Sequence, residues 1–344
     1  MKKRSVYPFA AIVGQENMKE ALILNTIYPL IGGVLIRGEK GTAKSTAVRA
    51  LADLLPERSV VAGCACGCDW GASDLCPECI ERRASGEASE AKAPMRVVEL
   101  PLSSTEDRIA GTLDIEHAIK TGRKKFEPGV LAKANGNILY VDEINLLDDH
   151  IVDLLLDAAA MGVNFIEREG ISYSHPSRFI LVGTMNPEEG DLRPQLLDRF
   201  GLMADVASER DEKRRMEIIE RRMEFEKDPD GFREDYAAEQ QRLRADITEA
   251  RSLASEISPG PDVIRAAVRI PLHLGTDGHR ADLTLIKAAV AYAALCKRAE
   301  VLPEDVVHVS GLVMPHRMRR NPFQDSTLKT EELDKWAKTA FGTG

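Results

Sequence analysis

The segment Gly38-Glu39-Lys40-Gly41-Thr42-Ala43-Lys44-Ser45-Thr46 joins a short apolar run to a stretch with helical spacing. A small-residue loop in that position offers successive backbone N–H groups and a helix N-terminus to anionic oxygens. Lys44 adds a point charge, and the Ser45 hydroxyl suits Mg²⁺. Ala43 stands where the common pattern has Gly, so its backbone must either avoid positive φ or accept strain. Further along, Ile138-Leu139-Tyr140-Val141-Asp142-Glu143 reads as an apolar strand ending in two acids. Open α/β sheets place their ligands at that edge. The two motifs together read as Walker A and Walker B of a P-loop nucleoside triphosphatase using ATP and Mg²⁺. The phosphates fall to Gly38, Gly41, Thr42, Ala43, Lys44, Ser45 and Thr46, and the metal to Ser45 and Asp142. Glu143 polarises the attacking water as general base.

Positioning these groups requires a sheet. Short runs rich in β-branched residues recur at Val34–Arg37, Val97–Leu100, Ile138–Asp142, Phe179–Thr184 and Leu202–Val206, with helical patterns between them. That alternation predicts a parallel five-stranded sheet between helices. Gln15–Ile27 and Ala47–Leu55 carry helical spacing beside the first strand. Ala84–Pro94 has little to bury and reads as mobile surface. From Glu209 to Glu256 dense Arg and Glu with periodic Met, Ile, Phe and Leu predict exposed, ion-paired helices. Ser258–His316 predicts a small all-helical lid. The expected organisation is an α/β domain over 1–208, a charged helical connector over 209–256 and the lid over 257–344.

The 344 residues, 44% of them hydrophobic, are enough for such a core. A formal net charge of −9 argues against binding nucleic acid mainly through phosphate contacts, although Arg317, Arg319 and Arg320 form a local basic patch. No run approaches the length of a membrane span, and the first residues lead into Tyr7-Pro8-Phe9 rather than an apolar signal core. A soluble, cytoplasmic protein is expected.

Three further segments resemble the moving parts of AAA+ ATPases. Thr184-Met185-Asn186-Pro187 ends the fourth strand, and by that resemblance Asn186 is sensor 1, orienting the water held by Glu143. Leu192-Arg193-Pro194-Gln195-Leu196-Leu197-Asp198-Arg199-Phe200 resembles the segment that faces the neighbouring subunit in AAA+ rings. Arg199 is the expected arginine finger, with Arg193 a second candidate. Such fingers contribute about 10³ to 10⁵ in rate, so turnover should depend on assembly. Gly278-His279-Arg280-Ala281-Asp282 opens a long helix, and Arg280 is the expected sensor 2, coupling the lid to nucleotide.

With these residues in place, the chain from about residue 7 to 317 resembles the ATPase I subunit of magnesium chelatase. The resemblance rests on Tyr7-Pro8-Phe9 with Ile12-Val13-Gly14-Gln15, on Thr105-Glu106-Asp107-Arg108 through Gly111-Thr112-Leu113-Asp114, and on Phe126-Glu127-Pro128-Gly129. Asn145-Leu146-Leu147-Asp148-Asp149-His150 and the Arg193–Phe200 segment match as well. It implies a hexameric ring that drives metal insertion, together with a second AAA+ subunit carrying an integrin-like domain and a large tetrapyrrole-binding subunit. It also implies a β-hairpin over 163–176, with Gly170 near its turn, and an inserted segment over 106–129. Ala43 is shared with related chelatase-like ATPases, which leaves cobalt or nickel open as the metal. A MoxR-like AAA+ chaperone is the alternative from another class. A σ-factor activator would need a Gly-Ala-Phe-Thr-Gly-Ala loop, which the sequence lacks.

Five of the six cysteines fall in the loop 62–94, and Cys296 lies apart in a helical pattern. Cys64-x-Cys66-x-Cys68 and Cys76-x₂-Cys79 do not make an extracellular disulfide framework. Cys66, Cys68, Cys76 and Cys79 are the candidate set for structural Zn²⁺ or thiol redox control.

Overall fold

The structure, a computed structural model, describes residues 5–113, 126–168, 171–276 and 278–318. In chain order its strands are β1 (Val34–Gly38), β2 (Arg58–Val61), β3 (Glu90–Ala93), β4 (Val97–Glu99), β5 (Gly111–Leu113), β6 (Phe126–Pro128), β7 (Ile138–Val141), β8 (Val163–Arg168), β9 (Ile171–Pro176), β10 (Ile180–Met185) and β11 (Leu202–Val206). The first four helices are α1 (Glu16–Ile27), α2 (Lys44–Leu54), α3 (Pro77–Ala84) and α4 (Glu106–Ala110). Strands β1, β4, β7, β10 and β11 form the five-stranded parallel sheet the sequence predicts. Every residue of β7 and β10 is buried, which is why these strands read as unbroken apolar runs rather than alternating ones.

The chain divides into two compact units, one of Met1–Tyr7 with Ala43–Thr184 and one of Pro8–Thr42 with Met185–Gly344. In the first, β4, β7 and β10 run parallel in register, Val97 opposite Ile138 and Ile138 opposite Ile180. The inserted segment contributes α4 and the β5–β6 pair, while residues 114–125 of it lie outside the described residues. The hairpin expected over 163–176 is present as antiparallel β8 and β9. Gly170, expected near its turn, lies outside the described residues. Asn164 fixes the hairpin by donating to the Ala110 carbonyl (2.9 Å), and the Tyr173 ring stacks on Phe126 at 4.3 Å between centroids.

The segment read as mobile surface between 84 and 94 needs correction. It is exposed, as expected, but its end forms β3 and pairs antiparallel with β2, Arg58 opposite Ala93 and Val61 opposite Glu90. Ladder hydrogen bonds, not burial, order it, and hydrophobic patterning does not register them.

In the second unit, β1 pairs in parallel with β11, Val34 opposite Leu202 through Gly38 opposite Val206. Helix α1 buries Met18, Ala21, Leu22, Ile23, Leu24 and even Asn25, so it lacks the polar face of a surface helix. The Asn25 side-chain oxygen accepts the Gly33 N–H at 3.2 Å, matching a buried amide to a turn that needs a partner. The charged segment forms helices Glu212–Lys227, Pro229–Asp235 and Ala237–Ala254, laced by Arg221–Glu217 and Arg222–Glu226 pairs. Helices Pro261–Leu274, Arg280–Leu295 and Pro303–Val313 follow, which is the all-helical lid expected. They are held by the nearly buried Asp305, bidentate with Arg298 at 2.5 and 2.9 Å, and by His308 on Glu20 at 2.7 Å. Among the described residues no helix is long and apolar enough to cross a membrane.

Candidate active site

Strand β1 delivers the Walker A loop and α2 receives it. Gly38 is required by strand packing: a Cβ there would stand 2.1 Å from the Val206 carbonyl oxygen. Gly41 takes φ +83°, a conformation that needs glycine in open space. Ala43 follows at φ 61°, ψ 17°. Of the two options its identity leaves, the chain adopts the strained one, at about 1–2 kcal/mol for an L residue in the left-handed region. Lys44, Ser45 and Thr46 form the first turn of α2 and are half-buried. Thr42 donates its hydroxyl to the Glu39 carbonyl (2.8 Å), and Lys40 pairs with Glu189 at 2.5 Å.

A cavity of about 320 Å³ opens beside the first half of this loop, lined by Gly38, Glu39, Asn186, Pro187, Asp205 and Ala207 among others. The structure thus brings the expected sensor residue Asn186 to the loop. Its side chain is nearly buried, and its oxygen accepts the Glu188 N–H at 3.3 Å, which fixes the amide's direction.

At the end of β7 the Asp142 carboxylate Oδ1 accepts two hydroxyls, Tyr140 at 2.9 Å and Thr184 at 2.6 Å. Thr184 Oγ1 in turn accepts the Glu143 backbone N–H at 3.1 Å. Glu143 sits at φ 52°, ψ 51°, a second non-glycine residue in the left-handed region. One threonine on β10 therefore positions both acids of β7. Burial pushes the Tyr140 phenol up, so it stays a donor. Thr184 and Tyr140 are the residues that motif reading missed. Spacing does not mark Thr184, whose role arises from the register of β10 on β7, whereas Tyr140 stands two residues before Asp142 on the same face of the chain, a period-2 signal that could have found it.

Arg193 caps the short helix Pro194–Leu197 and is exposed, whereas Arg199 lies two residues past its end and is half-buried. Arg280 begins its long helix, as expected, and donates to Asp198 Oδ2 at 2.5 Å. Asp198 also faces Arg317, whose Nε lies 3.4 Å from Oδ1. The sequence places Arg317 with Arg319 and Arg320 in a local basic patch. The Arg317 side chain is only 2% exposed, and it donates to the carbonyls of Asp198, Phe200, Gly201 and Val313, so it is an internal strut. Burial pushes it down to about 10 against the pull of Asp198. Arg319 and Arg320 lie outside the described residues. His316 beside it is held well below its usual range by burial and by the Arg317 charge.

In the cysteine loop the sulfurs of Cys64, Cys68, Cys76 and Cys79 all lie within 4.8 Å of one another. The expected set had Cys66 in place of Cys64. Cys66 is buried in the same cluster but outside this foursome. Hydrogen bonds from Cys66, Cys68 and Cys76 draw the Cys64 thiol well below its usual range, and the same bond to Cys64 pushes Cys66 up to about 12.

Comparison with known proteins places these features in a class. Residues 81–200 match the AAA domain (dynein-related subfamily), and residues 264–336 match the AAA lid domain. The fold and site are those of an AAA ATPase with a helical lid. The magnesium-chelatase subunit ChlI homologue of Methanocaldococcus jannaschii is 56% identical over 96% of this chain and 90% of its own. The magnesium-chelatase 38 kDa subunit of Acidiphilium rubrum is 50% identical over 94% of each. A cryo-EM-based complex of the magnesium-chelatase subunits BchI and BchD contains a chain 46% identical to this one, with a TM-score of 0.55 over 96% of this chain and 99% of that one. The chain belongs to the ATPase I-subunit family of magnesium chelatase.

Proposed function

We propose that this chain is the ATP-hydrolysing motor subunit of a chelatase complex that inserts a divalent metal, magnesium by family, into a tetrapyrrole. The observation that carries the reading is the similarity to magnesium-chelatase subunits across 94–96% of the chain, Walker motifs and inserted segments included. The local geometry agrees with a nucleotide and its Mg²⁺. The Walker A loop turns through positive φ at Gly41 and Ala43 to open a helix N-terminus, and the hydroxyls of Tyr140 and Thr184 hold the Asp142 carboxylate.

In this reading Lys44 and the N–H groups of the loop bind the phosphates, while Ser45 and Asp142 hold the Mg²⁺ that accompanies ATP. That ion supplies neutralisation of phosphate charge. Glu143 takes the proton of the attacking water and Asn186 orients it. Arg199, with Arg193 beside it in sequence, reaches the nucleotide of the next subunit in a hexameric ring. Arg280 reports on the nucleotide of its own subunit. The proposed domain organisation is an α/β domain over 1–208, a charged helical connector over 209–256 and a helical lid over 257–344. The partners are a second AAA+ subunit with an integrin-like domain and a large tetrapyrrole-binding subunit, in the cytoplasm. Motor work is needed because Mg²⁺ gives up its water reluctantly.

The test is capture from native extract with the Glu143→Gln variant held in ATP. Recovery of a large tetrapyrrole-binding protein together with an integrin-domain AAA+ subunit is the expected result. Recovery of unrelated client proteins alone contradicts it and favours a chaperone.

A further inference from the structure

From the cysteine geometry we infer that Cys64, Cys68, Cys76 and Cys79 form a structural tetrathiolate Zn²⁺ site, with Cys66 packed beside it as a non-ligand. Four ligands at the usual Zn–S length of about 2.3 Å stand about 3.8 Å apart at the corners of a tetrahedron. The Cys64 and Cys76 sulfurs lie 3.7 Å apart, and no pair of the four exceeds 4.8 Å. Two disulfides would gather the sulfurs as two separate pairs. Here all four converge on one point, and all six cysteines of the chain are unbridged. Re-assigning the ligands also changes the sequence motif. It becomes Cys64-x₃-Cys68 with Cys76-x₂-Cys79, two close-spaced pairs of the kind zinc knuckles use, in place of an irregular Cys-x-Cys.

The surroundings suit a dianionic centre. The Cys68 N–H reaches Cys64 Sγ at 3.5 Å, and the Cys76 N–H reaches Cys68 Sγ at 3.3 Å. Cys76 caps the N-terminus of α3, where the helix dipole favours a thiolate. Arg58 is half-buried nearby, bound through Nη1 to the Gly67 carbonyl (3.0 Å), and its charge is favourably placed toward Cys64 and Cys68. Asn135 closes the loop from outside, donating to the Cys66 carbonyl at 2.9 Å. Among the described residues, the sulfurs are surrounded by Val61 and Ala132, fully buried, and by Trp70, Leu75, Ala88 and Phe126, partly so. That core is too small to order the loop between β2 and β3, and a metal supplies the missing cross-link. The same staple holds α3, whose Glu78 accepts the Tyr173 hydroxyl of the hairpin at 2.7 Å.

The test uses the full chain purified under reducing conditions from zinc-supplied cells. Zinc is quantified in one sample after release by a thiol-specific mercurial, and a second sample, stripped of metal by a chelator under reducing conditions, is reloaded with Co²⁺ as a spectroscopic probe. The expected result is about one zinc per chain and the thiolate-to-cobalt charge-transfer bands of a tetrahedral tetrathiolate site. The Cys66→Ser variant keeps both signals and the Cys64→Ser variant loses them. If Cys64→Ser does not fold, the wild-type stoichiometry and cobalt spectrum decide alone. Wild-type protein without stoichiometric zinc and without the tetrathiolate spectrum overturns the proposal. So does metal lost in Cys66→Ser and kept in Cys64→Ser.

Discussion

Two aspartates in this molecule each gather two partners, and their environments differ. Asp142, at the end of β7, is held by the hydroxyls of Tyr140 and Thr184. Asp198, before the expected arginine finger, is held by the guanidinium groups of Arg280 and Arg317. Hydroxyls orient a carboxylate and leave its charge to act on a cation from outside, whereas guanidinium groups neutralise it. The first arrangement suits binding of Mg²⁺ with nucleotide. The second suits a joint that fixes the segment bearing Arg199 to the lid helix that starts at Arg280.

Exchanging each acid for its amide separates the two roles. Asp142→Asn should lower ATP turnover by about 10²–10³, the cost of removing one electrostatic stabiliser, and leave thermal stability nearly unchanged because the amide oxygen still accepts both hydroxyls. Asp198→Asn should lower stability by about 1–2 kcal/mol, a value discounted because Asp198 is 40% exposed, which corresponds to about 2–4 °C in Tm per kcal/mol. Turnover and melting curves on both variants check this, and a common response from the two variants would break the distinction.

A smaller effect sharpens the Asp142 side. Thr184→Val keeps the shape of β10 but removes the hydroxyl that joins Asp142 to the Glu143 backbone. We expect a loss of about 10–100-fold in apparent Mg²⁺ affinity, read from the Mg²⁺ dependence of turnover at saturating ATP. The smallest effect concerns the Asp198 side. His316 is held neutral in the folded chain by burial and by Arg317, so below its ordinary value of 6.5 only the unfolded chain takes up its proton. Stability contributed there is complete above pH 6.5 and is lost as pH falls, at up to about 1.4 kcal/mol per pH unit. His175, depressed by burial, adds a slope of the same sign. Denaturant titrations between pH 7 and 5 should therefore show a shallower decline in His316→Asn than in wild type.

How much of this was legible in the sequence follows from the kind of interaction involved. The five sheet strands were read to within two residues, because β-branched runs buried on both faces leave a strong linear signal. The Walker A loop was equally plain, since a helix N-terminus that binds phosphate requires small residues at fixed offsets. The hairpin over 163–176 came from family resemblance and not from its own pattern. What stayed hidden depends on register and chain crossings. Thr184 meets Asp142 only because β10 pairs with β7, and Arg317 reads as surface charge until the Phe200 and Gly201 carbonyls are seen around it. β3 escaped notice because exposed Glu and Lys on an edge ribbon carry no hydrophobic period. Cys64 was displaced by Cys66 in the candidate ligands because spacing along the chain says nothing about which sulfurs a loop turns toward one another.

The proposed ATP turnover centres on Glu143, which sits in a left-handed backbone beside Asp142. The direct measurement compares the Glu143→Gln variant with wild type by multiple-turnover ATP hydrolysis and by equilibrium nucleotide binding. We predict turnover reduced by at least about 10²-fold with ATP affinity retained, since a general base acts on the water and not on the bound phosphates. Turnover at the wild-type rate, or a parallel loss of ATP binding, would contradict the assignment.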